Sequence, residues 1–211
     1  MGESLNVTSC LEEIATTATC KGQTIQINAI CLDCSKSMTI FGDLSTRVLN
    51  DLLRNLETPI HETKTFAMVM EFGSQSAVIV PLAHAQQMPR FLKRPCSNLT
   101  KLYQTLCDVF EHLFAVHNWL AAHGINTLVS IYVLSDGVDN CSEPDSEAKI
   151  LKYSDLAKQL GWSLFTFGFG NKARDTAFRI GFTAELAKTY APLDPDGKLE
   201  QLCSLTLRLL P

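Results

Sequence analysis

"TIQINAICLDCSKSM" (residues 24–38) begins as an apolar run and ends in a polar turn. Ile25, Ile27, Ala29, Ile30, Cys31 and Leu32 make the run, and it stops at Asp33. Alternation of apolar and polar residues is lost when neither face of a strand meets water. Such a run therefore predicts a central parallel strand with helices on both sides. Beyond it, Asp33, Ser35 and Ser37 place one carboxylate and two hydroxyls at alternate positions. Taken alone, the turn could be part of a thiol pair, a nucleophilic serine, a phosphate cradle or a cage of oxygens around a metal.

Four more runs rich in β-branched and aromatic residues follow: "KTFAMVMEFG" (64–73), "SAVIVPLA" (76–83), "TLVSIYVLSDG" (127–137) and "WSLFTFGFG" (162–170). Only Ser74 and Gln75 separate the first two of these, so they predict a hairpin and hence one antiparallel strand at a sheet edge. Between the runs lie stripes at helical spacing. Leu44, Val48, Leu49, Leu52, Leu53 and Leu56 form one, and Leu102, Leu106, Val109, Leu113, Val116 and Leu120 form another. Ile150, Leu151, Leu156 and Leu160 mark a third helix, with Gly161 as its stop. Strands alternating with helices predict an α/β, doubly wound, Rossmann-like open sheet, mostly parallel with one antiparallel edge strand and helices on both faces. Residues 1–22 show little period apart from "CLEEIA" and read as an N-terminal extension to a single domain over 23–211. Near the other end, "TAELAKTYAPLD" (183–194) is compatible with a helix followed by a last edge strand. "GKLEQLCSLTLRLL" (197–210) reads as a closing amphipathic helix.

The 211 residues, 46% hydrophobic and 19% charged, suffice for one sizeable core and describe an ordinary globular chain. A net charge of −4 leaves no whole-protein basic field, which argues against nucleic acid as a partner. No stretch approaches the length of an apolar membrane span, and the opening "MGESLN" has neither a leader pattern nor the hydroxyl residue that myristoylation needs at Asn6. These features predict a cytoplasmic protein with no membrane association. The eight cysteines are scattered, several within apolar patterns, and are expected to be reduced thiols.

In an open parallel sheet, ligands bind outside the carboxyl ends of the strands. Asp33, Ser35 and Ser37 follow the first strand, Asp136 and Gly137 end the fourth, and Thr100 opens the long second helix. Two carboxylates, three hydroxyls and no histidine suit a hard cation such as Mg²⁺. Five protein groups leave one coordination position for an outside ligand, and a cation would neutralise two crowded carboxylates.

With these residues, the chain resembles the von Willebrand factor A domain family. The family's metal-ion-dependent adhesion site (MIDAS) is Asp-x-Ser-x-Ser, then a threonine in a second loop, then an aspartate in a third. Asp33-Cys34-Ser35-Lys36-Ser37 matches the first element, Thr100 leading into a helix looks like the second, and Asp136-Gly137 is similar to the third. Where relatives commonly have glycine before the threonine, this chain has Asn98-Leu99, and Ser135 replaces a frequent threonine. The resemblance implies a non-enzymatic protein-binding module with Mg²⁺, or Mn²⁺, held by Asp33, Ser35, Ser37, Thr100 and Asp136. A partner's Asp or Glu would complete the coordination. Intracellular relatives often serve as subunits or adaptors of larger assemblies, including those run by AAA+ ATPases, so the resemblance implies a partner of that kind.

Other readings compete at the same residues. Asp and Ser also cap helices, and Cys31-x-x-Cys34 is a redox or zinc spacing, although no second pair stands at zinc distance. A phosphotransferase of the haloacid-dehalogenase pattern wants an aspartate where Ser35 stands, and a serine hydrolase wants glycines that "DCSKS" lacks. A scaffold with a non-functional metal site is the remaining alternative. His61, His84, His112, His117 and His123 show no metal-ligand spacing, and Trp119 and Trp162 read as core anchors. Asp139, Glu143 and Asp145 read as a solvated acidic loop able to tune which partners approach.

Overall fold

Alternate residues of β1 (Thr24–Asp33) enter two separate apolar layers, although Gln26 and Asn28, on the side of Ile30 and Leu32, are polar, and Asn28 is buried with its amide donating to Phe66 O at 3.0 Å. Ile25, Ile27, Ala29 and Cys31 pack into one layer, and Ile30 and Leu32 into the other. β1 pairs in parallel with both β2 (Lys64–Phe72) and β4 (Asn126–Ser135). Beyond β2 lies β3 (Ser76–His84), antiparallel to it. Beyond β4 lie β5 (Ser163–Phe169) and β6 (Ala187–Tyr190), both parallel. The strand order is therefore β3-β2-β1-β4-β5-β6. The computed structural model describes Ile14, residues 23–58, 63–92, 96–170 and 172–182, and the backbone of 187–190. The proposed closing helix at 197–210, His61 and all of the extension except Ile14 lie outside the described residues; Ile14 itself is helical and buried in the core.

The expected hairpin forms across Gly73–Gln75, and β3 is the antiparallel edge. Pro81 is tolerated there because an edge strand need not donate on both sides, and the pairing shows register shifts nearby, between Ala67 and Val69 and again before Met70. β6 falls within the stretch that was compatible with a last edge strand.

α1 (Leu44–Glu57) covers the layer containing Ile30 and Leu32, and all six residues of its predicted stripe are buried. α2 (Leu102–Ala122), α3 (Ser146–Gln159) and α4 (Lys172–Arg179) cover the other face. The α2 stripe is buried in full, each such side chain contributing about 1.5–3 kcal/mol. Trp162 is buried and Trp119 partly so, both against this layer. No described helix is long and apolar enough to cross a membrane.

α3 forms where expected but buries a different face. Ser146, Ile150, Ser154 and Ala157 face inward, whereas Leu151, Leu156 and Leu160 are each at least 40% exposed. Small side chains let the helix approach closely. The Ser154 hydroxyl donates to Ile180 O at 2.6 Å, and a Cβ on Gly181 would lie 2.9 Å from Ser154 Cβ.

The topology positions the site. The chain leaves β1 toward β2 on one side and leaves β4 toward β5 on the other, so the connections diverge between β1 and β4. The crevice of a doubly wound sheet opens at that point, and Asp33 and Asp136 stand there.

Candidate metal centre

Loop one is shaped by its own carboxylate. Ser35 N donates to Asp33 Oδ1 at 2.8 Å, a local turn that aspartate makes readily. The Ser35 and Ser37 hydroxyls lie 2.9 Å apart, so the two alternate serines converge. A short 3₁₀ turn, Lys36–Phe41, follows and is pinned by buried Met38 and Phe41.

Loop three meets loop one through Ser135. The Ser135 hydroxyl donates to Asp33 Oδ2 at 2.6 Å and accepts from Gly137 N at 3.0 Å. Asp136 Oδ1 accepts from Val138 N at 3.1 Å. Gly137 is required at this turn, because its φ is +81° and an added Cβ would stand 2.7 Å from Ala173 Cα.

Loop two is docked against both neighbours. Ser97 N donates to Cys34 O at 2.8 Å, and Lys101 N to Gly73 O at 2.9 Å. The Ser97 hydroxyl accepts from Ser74 N at 2.8 Å. Gly73 makes that approach possible, since a Cβ would come within 2.0 Å of Ser97 Oγ. Thr100 N donates to Asn140 Oδ1 at 2.9 Å, and Asn140 N returns a bond to Thr100 O at 3.2 Å. Loop two is thus held without the glycine common before the threonine in von Willebrand factor A domains.

Asp33 is 2% exposed, Asp136 8%, and Ser35 and Thr100 are each buried at 1%, while Ser37 is open to solvent. Burial pushes the Asp33 carboxyl up from its ordinary 3.8 to about 6. Hydrogen bonds from Ser135 and Ser35 pull the other way, and the nearby charge of Asp136 adds to the rise. A buried carboxylate with another close by is a place where positive charge is favoured. The donors are all oxygens, which fits a hard cation. Among the described residues no three His, Cys, Asp or Glu side chains gather as a metal site, so any ion here would depend on the hydroxyls. His84, His117 and His123 make ordinary contacts, such as His117 Nδ1 with the Thr127 hydroxyl at 2.6 Å.

One expectation needs correction. The acidic loop is not simply solvated. Asp139 Oδ2 accepts from Tyr103 N at 2.8 Å and from the Ser142 hydroxyl at 2.6 Å, and Ser142 Oγ accepts from Gln104 N at 3.0 Å. Together with Asn140, these side chains cap the amino end of α2, whose own N-cap residue Lys101 makes no side-chain cap bond. Glu143 and Asp145 of the same loop are exposed. The competing redox or zinc reading of Cys31-x-x-Cys34 finds no support in the packing, because the two side chains lie in different layers. Cys31 is buried in the layer under α2, whereas Cys34 packs against the layer under α1. Beside Gly137, a groove of about 500 Å³ runs between the starts of α2 and α3 and the length of α4, with Arg179 forked onto Glu147 at 2.9 and 2.8 Å along its wall.

No family profile matches the sequence, and no curated protein does. Solved structures do match. Proximal thread matrix protein 1 from the mussel byssus superposes with a TM-score of 0.59 at 17% identity, covering 88% of this chain and 48% of that one. Another structure of that protein has zinc in its MIDAS motif. A von Willebrand factor type A protein from Catenulispora acidiphila gives 0.57 at 16%, covering 87% and 42%. Manganese-loaded TRAP from Plasmodium vivax gives 0.55 at 14%, covering 89% and 73%. The chain therefore spans less than half the length of the first two. At these identities the likeness is one of fold: the chain has a von Willebrand factor A-like fold.

Proposed function

We propose that this chain is a non-enzymatic, Mg²⁺-dependent protein-binding module, able to take Mn²⁺ as well, and that Asp33, Ser35, Ser37, Thr100 and Asp136 hold the ion. The observation that carries the reading is the placement of two buried carboxylates, Asp33 and Asp136, at the ends of the adjacent strands β1 and β4, with the Ser35 and Ser37 hydroxyls converging beside Asp33. Asp33 and Asp136 would provide the charge. Ser35 and Ser37, already turned toward each other, and Thr100, on a loop tied to loop three by Asn140, would provide neutral oxygens. When bound, the cation would offer an electrophilic point for a partner's Asp or Glu carboxylate. The rims of loops one and two also present Ile40 and Leu99, 64% and 43% exposed, as apolar contact surface.

The same geometry counts against enzyme chemistry. Ser35 stands where a phosphotransferase of the haloacid-dehalogenase pattern would need its second aspartate, and its hydroxyl contacts Ser37 rather than a base. The zinc and manganese found in structural neighbours support a divalent ion in a site of this type. We extend the proposal to the setting: an intracellular subunit or adaptor of a larger assembly, with an AAA+ ATPase complex as one candidate.

Thermal melting with Mg²⁺ and with EDTA tests the reading. An ion that binds only the folded chain, at ten times its dissociation constant, adds about 1.4 kcal/mol, or about 3–6 °C in Tm. Wild type melting identically in EDTA and in saturating Mg²⁺ or Mn²⁺ would overturn the reading. A Tm rise accompanied by turnover of a generic phosphate ester would favour the phosphotransferase.

A further inference from the structure

The contact between loops one and two sets two cysteines side by side. Ser35 and Ser97 form a parallel β-bridge. In a parallel pairing, the residues preceding a bridged pair are neighbours too, and both point to the face opposite the bridged side chains. Those residues are Cys34 and Cys96. Both line one small cavity of about 20 Å³, together with Asp33, Met38 and Thr46. Neighbouring strands lie about 4.7–4.9 Å apart, inside the range of roughly 4.4–6.8 Å that Cα atoms of disulfide-linked cysteines span. Cys34 is half-buried and Cys96 exposed, and both are in the thiol form. Cys34 Sγ also approaches Glu71 Oε2 at 3.8 Å, a contact the thiol would lose on oxidation. The other described cysteines are placed differently, with Cys31 and Cys107 buried under the sheet and Cys141 in loop three.

We infer that Cys34 and Cys96 are a redox modification site: a thiol pair that closes to a disulfide on meeting a small disulfide oxidant such as oxidised glutathione, fastening loop one to loop two beside Asp33. Cys96, the exposed member, attacks one sulfur of the oxidant as thiolate, forming a mixed disulfide and releasing one reduced thiol. Cys34 then attacks the Cys96 sulfur, forming the Cys34–Cys96 bond and releasing the second thiol. Two protein thiols lose two electrons, the oxidant's disulfide gains them, and the two protons leave on the released thiols. The inference rests on the β-bridge and the shared cavity, not on the metal reading.

The test uses the whole chain, freshly reduced, then equilibrated with EDTA in buffers of graded oxidised-to-reduced glutathione, quenched by alkylation and digested. The expected product is the Cys34 peptide joined to the Cys96 peptide, two hydrogens lighter than their sum. It should be the dominant link and should revert with dithiothreitol. Cys96→Ser and Cys34→Ser should each abolish it, and Cys96→Ser, at an exposed position, should keep the melting temperature of the reduced wild type. Glutathione persisting on Cys96 as a stable mixed disulfide, a dominant link to any other cysteine, or no link in the most oxidising buffer would each overturn the inference. Because EDTA is present throughout, a failure of the Mg²⁺ reading leaves this result unchanged, and the reverse also holds.

Discussion

Asp33 and Asp139 are both partly or fully buried aspartates in neighbouring loops, and they serve opposite ends. Asp139 gives its carboxylate to the amino end of α2 and to Ser142, so a helix terminus with its partial positive charge balances it. Asp33 receives short bonds from Ser35 N and the Ser135 hydroxyl but, among the described residues, no positive group, and its burial drives its carboxyl up to about 6. An acidic residue whose charge is matched by the fold is architecture. One left buried near another carboxylate, without a matching charge, is a site that an outside cation can complete.

The largest effect expected from that contrast is on metal affinity. Asp33→Ala should weaken Mg²⁺ binding by about 100-fold or more, since it removes a charged ligand from a set with only two. Asp139→Ala should leave affinity within a few-fold. Calorimetric titration of both variants decides it, and equal affinities for Asp33→Ala and wild type would remove the metal from loop one.

The second effect is on pH dependence without metal. Folded Asp33 holds its proton up to about 6, against an ordinary 3.8. Between those values the folded state binds more protons, so this group's stabilising contribution is complete below the lower value and is lost as pH rises through the higher. The span corresponds to about 3 kcal/mol. Urea unfolding in EDTA should show Asp33→Asn gaining on wild type by that order between about pH 4 and pH 7. Parallel pH profiles would mean that Asp33 is not the strained carboxylate.

Third comes the helix cap. Asp139→Ala strips the bond to Tyr103 N and should cost about 0.5–2 kcal/mol, lowering Tm by about 1–8 °C in EDTA and in Mg²⁺ alike. A loss appearing only with Mg²⁺ would reassign Asp139 to the metal site.

What could be seen in the sequence follows from how local each signal is. The β1 run, the stripes of α1 and α2 and the Asp33 turn are written in residues a few positions apart, and each appears where it was expected. The buried face of α3 was hidden because it is made of Ser146, Ser154 and Ala157 beside Ile150, residues that pack by being small rather than apolar. Asp139's part in capping α2 was hidden because the helix donor it satisfies, Tyr103 N, lies 36 positions earlier, and Ser135 because its partner Asp33 lies 102 positions earlier. Spacing along the chain carries no mark of such pairings. The β-bridge joining Ser35 to Ser97 escaped notice for the same reason.

The smallest effect is expected from the acids of loop three that touch neither machinery. Asp145 stands at the N-cap of α3 without a side-chain cap bond, and Glu143 is exposed. For Asp145 the remaining benefit is attraction to the helix end, about 0.3–1 kcal/mol at low salt. Glu143 should fall within the roughly 0.5 kcal/mol usual for surface positions. Their influence on a cation held by Asp33 and Asp136 must cross solvent, where the screening length is about 8 Å at physiological salt. Asp145→Asn and Glu143→Gln should therefore change Mg²⁺ affinity by no more than about 2-fold in 0.15 M salt, and that change should shrink further at 1 M. If either variant instead weakens Mg²⁺ tenfold independently of salt, the division between matched and unmatched acids is drawn in the wrong place, and the ion sits toward loop three.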